Sequence, residues 1–212
     1  MGERAAEMVK SQIVARGICD PMVLQAMSLV PRHLFVPDRL RDAAYDDHPL
    51  AIGEGQTISQ PYIVALMTES LALKAEDVVL EIGTGSGYQA AVLSRIVGQV
   101  FTVEVREMLY IRARRLFVSL GLSNIECRHA DGYWGWSEHA PYDAIVITAA
   151  VNHVPAPLFS QLKIGGRLIV PLGEPPSHQR LALVTRTGSK FRVQFLTGVM
   201  FVPMTGRAQR AR

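Results

Sequence analysis

Val78-Val79-Leu80-Glu81-Ile82-Gly83-Thr84-Gly85-Ser86-Gly87-Tyr88 is the stretch on which the reading of this chain turns. Val78 to Ile82 is a short, mostly apolar run rich in β-branched residues, which predicts a buried strand, and Tyr88 to Val97 reads as a helix. The alternating glycines between them let the backbone turn tightly and approach a ligand. The helix that follows presents unpaired N–H groups at its start. A dinucleotide fingerprint would place glycine or alanine at position 88, where this chain has Tyr88, so the loop predicts a nucleoside ligand without a pyrophosphate.

Strand and helix patterns continue to alternate downstream. Val100 to Glu104 reads as a strand, Glu107 to Leu120 as a helix closed by Gly121, Ile125 to Arg128 and Ala144 to Thr148 as strands, Pro157 to Leu162 as a short helix and Arg167 to Pro171 as a fifth strand. Strands separated by helices pair in parallel through right-handed crossovers. The tail breaks this rule: Leu181 to Arg186 and Phe191 to Phe195 flank Thr187-Gly188-Ser189 and predict an antiparallel hairpin, with Val199 to Pro203 along or just after it. The expected fold is α/β, a Rossmann-like, doubly wound, mostly parallel seven-stranded sheet ending in that hairpin.

Upstream, apolar spacing between residues 5 and 30 fits two short helices. Pro31 and Pro37 bracket a connector, Tyr45 to Pro61 reads as a long irregular loop, and a helix runs from Gln60 to about Leu73. With 212 residues and 49% hydrophobic content, one domain is expected. Residues 1–60 would supply helices and a substrate loop, 61–205 the sheet core and hairpin, and 206–212 a flexible tail.

Acidic residues mark the carboxyl ends of the strands, where an open α/β sheet collects its ligand. Glu104 ends the second strand about 20 residues after the glycine loop, the position from which a carboxylate reaches ribose hydroxyls. Asp131-Gly132 follows the third strand and is placed to accept from an adenine amino group, although Asp-Gly is also a common turn. Two carboxylates without a phosphate-binding Lys or Arg suit a cofactor that carries a sulfonium cation.

Composition narrows the partners. The 22 Lys and Arg against 19 Asp and Glu are spread along the chain, too small an excess for nucleic acid. Arg112, Arg114 and Arg115 read as a solvated helix face, and Trp134 and Trp136 as packing. Cys19 and Cys127 belong to no Cys/His cluster, so neither a disulfide framework nor a metal site is predicted, and a reducing cytoplasm fits. No apolar run approaches the roughly 18 residues of a membrane span.

Gly55-Gln56-Thr57-Ile58-Ser59-Gln60-Pro61, added to the glycine loop, makes the chain resemble the protein-L-isoaspartate O-methyltransferases. Val30-Pro31-Arg32-His33-Leu34-Phe35-Val36-Pro37, Ala140-Pro141-Tyr142-Asp143-Ala144-Ile145, Leu162-Lys163-Ile164-Gly165-Gly166-Arg167-Leu168 and Phe201-Val202-Pro203-Met204-Thr205 extend the match over roughly residues 7 to 205. The resemblance implies a class I methyltransferase fold, acting as a monomer on isoaspartyl peptides and proteins. It implies that Gly83, Thr84, Gly85, Ser86, Gly87, Glu104 and Val105 hold S-adenosyl-L-methionine, with Asp131 and Gly132 near its adenine. Ser59 would be the active-site residue, Thr57, Ile58 and Gln60 would shape the substrate end, and Thr205 would close over the site. Val151-Asn152-His153-Val154-Pro155 departs from the family pattern after the fourth strand.

Such a reaction needs no acid–base constellation. A backbone-type carboxylate has a pKa of about 3.5 and arrives ionised, so positioning dominates. Read from the residues alone, Ser59 is first an N-cap for the helix beginning near Pro61, and the resemblance reverses that preference without excluding both roles at once. Alternatives also stand at this point: a methyltransferase for another carboxylate, or a silent module that binds cofactor or peptide. A base-amino nucleic-acid methylase is disfavoured, since Thr148-Ala149-Ala150-Val151 replaces its Pro-Pro-aromatic motif.

Overall fold

The computed structural model describes residues 2–173 and 178–209. Its centre is a seven-stranded sheet in the order β5-β4-β3-β6-β7-β8-β9. These strands are β3 (Val78–Ile82), β4 (Gln99–Glu104), β5 (Ile125–His129), β6 (Tyr142–Ile147), β7 (Leu162–Leu172), β8 (Gln179–Thr187) and β9 (Lys190–Val199). The first five pair in parallel, β8 runs antiparallel to β7, and β9 antiparallel to β8. This is the predicted α/β class. The chain winds outward from β3 to β5 and then returns to β6 on the other side of β3. The strand order therefore reverses between β3 and β6, the switch point where such sheets open a crevice.

Alternation along the strands divides the core into two layers. Val79, Val100, Val146 and Ile169 face one way, under α3 (Pro61–Ser70), α4 (Tyr88–Ser94) and α5 (Glu107–Ser119), with α1 (Gly2–Met8) and α2 (Pro21–Leu29) joining the same layer. Leu80, Val103, Ile145 and Leu168 face the opposite way, against α6 (Ala156–Ser160) and short turns. Each such side chain removed from water contributes about 1.5–3 kcal/mol. Asp20 starts α2 as expected of an N-cap, its Oδ1 accepting from the N–H groups of Met22 (2.8 Å) and Val23 (3.3 Å).

Three expectations need correction. The segment 45–61, read as irregular, contains an antiparallel hairpin, β1 (Leu50–Gly53) with β2 (Gln56–Ile58). Glu54 and Gly55 turn between them with φ of 53° and 68°, the left-handed pair that a tight hairpin requires. Strand β7 begins at Leu162 rather than Arg167. Gly206–Gln209, assigned by sequence to the flexible tail, form a 3-10 turn whose Arg207 N–H donates to Asp131 Oδ2 at 2.8 Å. Residues 210–212, the rest of that tail, lie outside the described residues.

Candidate active site

The carboxyl ends of β3, β4 and β6 border a crevice. Its walls come from widely separated parts of the chain. The glycine loop, Glu104 to Arg106, Gly132 and Thr148 line it together with Gln56 to Ser59 and Val202 to Thr205. The last segment arrives by crossing back to the end of β6. Ala150 N–H donates to Val202 O and Met204 N–H to Ala150 O, both at 2.9 Å.

The glycine loop is tied down from two directions. Gly83 has φ of 96°, and a Cβ there would lie 2.5 Å from Thr148 Oγ1. That hydroxyl shares its one proton between the carbonyls of Ile82 (3.0 Å) and Gly83 (2.5 Å), so the residue after β6 fixes the start of the loop. From β4, Glu104 accepts the Gly85 N–H at Oε2 and the Arg106 N–H at Oε1, both at 2.8 Å. Glu104 is only 5% exposed, yet it lines the crevice.

Glu81, by sequence only a residue of the β3 strand, is fully buried and also lines the crevice. Its Oε2 accepts from Thr102 Oγ1 (2.5 Å), itself 2.6 Å from Thr84 Oγ1, while Oε1 has no hydrogen-bond partner. Burial pushes its carboxyl up to about 8. The Thr102 hydroxyl and the Ala90 amide act against that rise, and the Glu104 charge adds to it. An acidic residue inside an apolar strand was the available signal.

Of the predicted site residues, the crevice gathers Thr57, Ile58, Ser59, Gly83, Thr84, Gly85, Ser86, Glu104, Val105, Gly132 and Thr205. It does not gather Gln60, Gly87 or Asp131. Gln60 donates to the Asp47 carbonyl (3.1 Å) and caps α3 through its own carbonyl, which accepts from the N–H groups of Ile63 and Val64. The Ser59 side chain takes no part in that cap. Gly87 serves packing, since a Cβ there would meet the Phe117 ring at 2.7 Å. Asp131 spends its carboxylate on backbone N–H groups, Tyr133 at 3.0 Å and Arg207 at 2.8 Å, as the cap of the turn at Gly132–Trp134. Arg112, read as part of a solvated face, donates to the Ile52 carbonyl at 3.1 Å. Trp134, read as packing, is 52% exposed.

A glycine turn at the switch point, lined by two carboxylates and suited to a nucleoside, defines a Rossmann-like methyltransferase. The sequence model described as protein-L-isoaspartate(D-aspartate) O-methyltransferase (PCMT) matches residues 3–209, and the chain belongs to that family. Protein-L-isoaspartate O-methyltransferase 2 of Shewanella sediminis (strain HAW-EB3) is 62% identical over 206 residues, 97% of this chain and 84% of that protein. Protein-L-isoaspartate O-methyltransferase 2 of Pelobacter propionicus is 56% identical over 94% of this chain and 89% of that one.

Among solved structures, a protein-L-isoaspartate O-methyltransferase superposes with a TM-score of 0.87 at 33% identity, covering 98% of this chain and 67% of that one. A Plasmodium falciparum protein described as a member of the family, solved with S-adenosyl-L-homocysteine, shares the fold at a TM-score of 0.83 and 24% identity, covering 95% of this chain and 98% of that one. The residues present fit S-adenosyl-L-methionine. The unpartnered Glu81 Oε1 suits its ammonium group, Glu104 suits its ribose hydroxyls, and two carboxylates suit its positive charge.

Proposed function

We propose that the chain methylates the free α-carboxylate of L-isoaspartyl residues in damaged peptides and proteins, using S-adenosyl-L-methionine. The methyl ester then loses methanol as the neighbouring backbone nitrogen closes a succinimide, which reopens in part as normal aspartate. The observation that carries this reading is spatial. Thr57, Ile58 and Ser59 line the same crevice as the glycine loop, although Ser59 and Gly83 stand 24 positions apart in the sequence.

When bound, the cofactor supplies a methyl group activated by its sulfonium. Everything else falls to the chain. The substrate carboxylate is ionised at neutral pH, so no residue has to remove a proton from it. The Ser59 hydroxyl and the N–H groups of the 57–60 segment replace part of the hydration that the carboxylate loses on entering. Neutral donors suit the task, because a nucleophile gripped by a direct ion pair would lose that attraction as its charge disappears. Thr205 and its neighbours wall the crevice and limit water. Gln60 orients the segment through its bond to Asp47, and Asp131 holds the Gly132 turn against the C-terminal segment.

We read the working unit as a monomer, as the resemblance implies, and its setting as a reducing cytoplasm, which suits the two unpaired cysteines Cys19 and Cys127. Among the described residues no helix is long and apolar enough to cross a membrane. Labelled cofactor with an isoaspartyl peptide and its aspartyl twin tests the activity. Base-labile label on the isoaspartyl peptide alone is expected, and label on neither or on both would sink the reading.

A further inference from the structure

Arg32 is the largest fully buried side chain among the described residues, with no exposed surface. Its Nε donates to the Ala44 carbonyl (2.6 Å) and its Nη2 to the Ser59 carbonyl (2.7 Å), while its Cζ lies 4.8 Å from the centroid of the Tyr88 ring. Nη1 has no partner. No carboxylate of the described residues lies within ion-pair distance of it. Ser59 and Tyr88 both line the crevice, so a guanidinium with a tyrosine ring but no carboxylate beside it stands behind the wall proposed to receive the substrate.

Such a charge is unfavourable inside a protein unless something answers it. Burial lowers the guanidinium pKa, Tyr88 works in the opposite direction, and a guanidinium still remains charged at neutral pH. Two carbonyls alone would not require a cation, because a neutral amide also donates hydrogen bonds. A carboxylate entering the crevice is the kind of group that answers such a charge. From behind Ser59 the cation favours entry of an anion without touching the oxygen that must attack.

We propose that Arg32 is a positioning and specificity residue that holds Ser59 and Tyr88 together and supplies the positive potential selecting a carboxylate over a neutral group. This rests on the substrate assigned above. Charge and geometry then separate in kinetics. Arg32→Met removes both and is expected to raise the peptide KM by about tenfold or more, with affinity for S-adenosyl-L-homocysteine within about twofold of wild type. Arg32→Lys keeps the charge but not the two-carbonyl fork. It should leave KM within about threefold while kcat falls.

A folded Arg32→Met with unchanged KM would overturn the proposal, as would equal KM losses in the two variants. Should Arg32→Met fail to fold, calorimetry on the wild-type complex with S-adenosyl-L-homocysteine decides. The isoaspartyl peptide should bind about tenfold or more tighter than its uncharged α-carboxamide analogue, and equal binding would overturn the proposal. A wild type that methylates no isoaspartyl peptide would remove the substrate assignment as well. An active wild type with an indifferent Arg32 removes this proposal alone.

Discussion

The two sides of the crevice are held by different means. The glycine-loop side grows out of three parallel strands with continuous backbone pairing, and its tight turn is fixed by Thr148 and Glu104. The QTISQP side is a hairpin of four- and three-residue strands. It is fastened by two long-range arginine bonds to carbonyls, Arg32 to Ser59 and Arg112 to Ile52. A backbone ladder suits a ligand of constant shape. A short hairpin on side-chain tethers suits peptides whose flanking residues vary. The two sides meet where Ile52 packs by Gly85, a Cβ on which would lie 3.7 Å from Ile52 Cδ1.

If this contrast is right, damage to the cofactor side should abolish binding of both ligands, whereas damage to the substrate side should spare the cofactor. The largest effect is expected for Gly83→Ala. The added methyl meets Thr148 Oγ1 at 2.5 Å in a backbone conformation that disfavours side chains. Affinity for S-adenosyl-L-homocysteine should fall about a hundredfold in calorimetry, with activity following. Affinity within threefold of wild type would show the turn to be less rigid than its bonds suggest.

Ser59→Ala comes next. Removing one donor to a charged group corresponds to a loss on the order of tenfold in turnover. Cofactor affinity should stay within twofold, and a parallel loss in a binding titration would break the division between the two sides. A smaller change is expected from Arg112→Ala, about threefold in peptide KM at constant cofactor affinity. Amide exchange should show the N–H groups of residues 50–58 opening faster. Unchanged protection there would remove Arg112 as a tether.

The same contrast explains what was legible in the sequence. The strand, glycine turn and helix of residues 78–94 are local, and a buried apolar run followed by Gly-x-Gly-x-Gly announces them. The β1–β2 hairpin was hidden because its strands are too short for periodicity to build up, although Leu50, Ile52 and Ile58 are buried while Ala51 and Thr57 are exposed. Gly83, Glu104 and Ser59 were found by motif and face the crevice. Gln60, Gly87 and Asp131 were singled out alongside them and do not line it, since neither a motif nor a strand end says which neighbour points inward. Arg32 stands in a segment that carries the resemblance, but nothing local says that it is buried behind Ser59, because its partners lie 12 and 27 residues away.

Glu81 offers the most direct probe of the rigid side, because it can be read from stability alone. Its pKa in the fold is pushed up to about 8 by burial, whereas an unfolded glutamate titrates at about 4.3. Between those values the unfolded chain releases a proton that the folded chain retains, so raising the pH favours unfolding. The loss begins above the unfolded pKa and levels off near 8. Its slope approaches at most about 1.4 kcal/mol per pH unit for one proton. Glu81→Gln has no proton to release there, so its urea midpoint should gain on wild type steadily from pH 5 to pH 8. Parallel curves would mean that Glu81 is ionised in the fold. S-adenosyl-L-homocysteine should then narrow the gap, because its ammonium gives the carboxylate the partner that Oε1 lacks, lowering the pKa and shrinking the interval over which the two states differ.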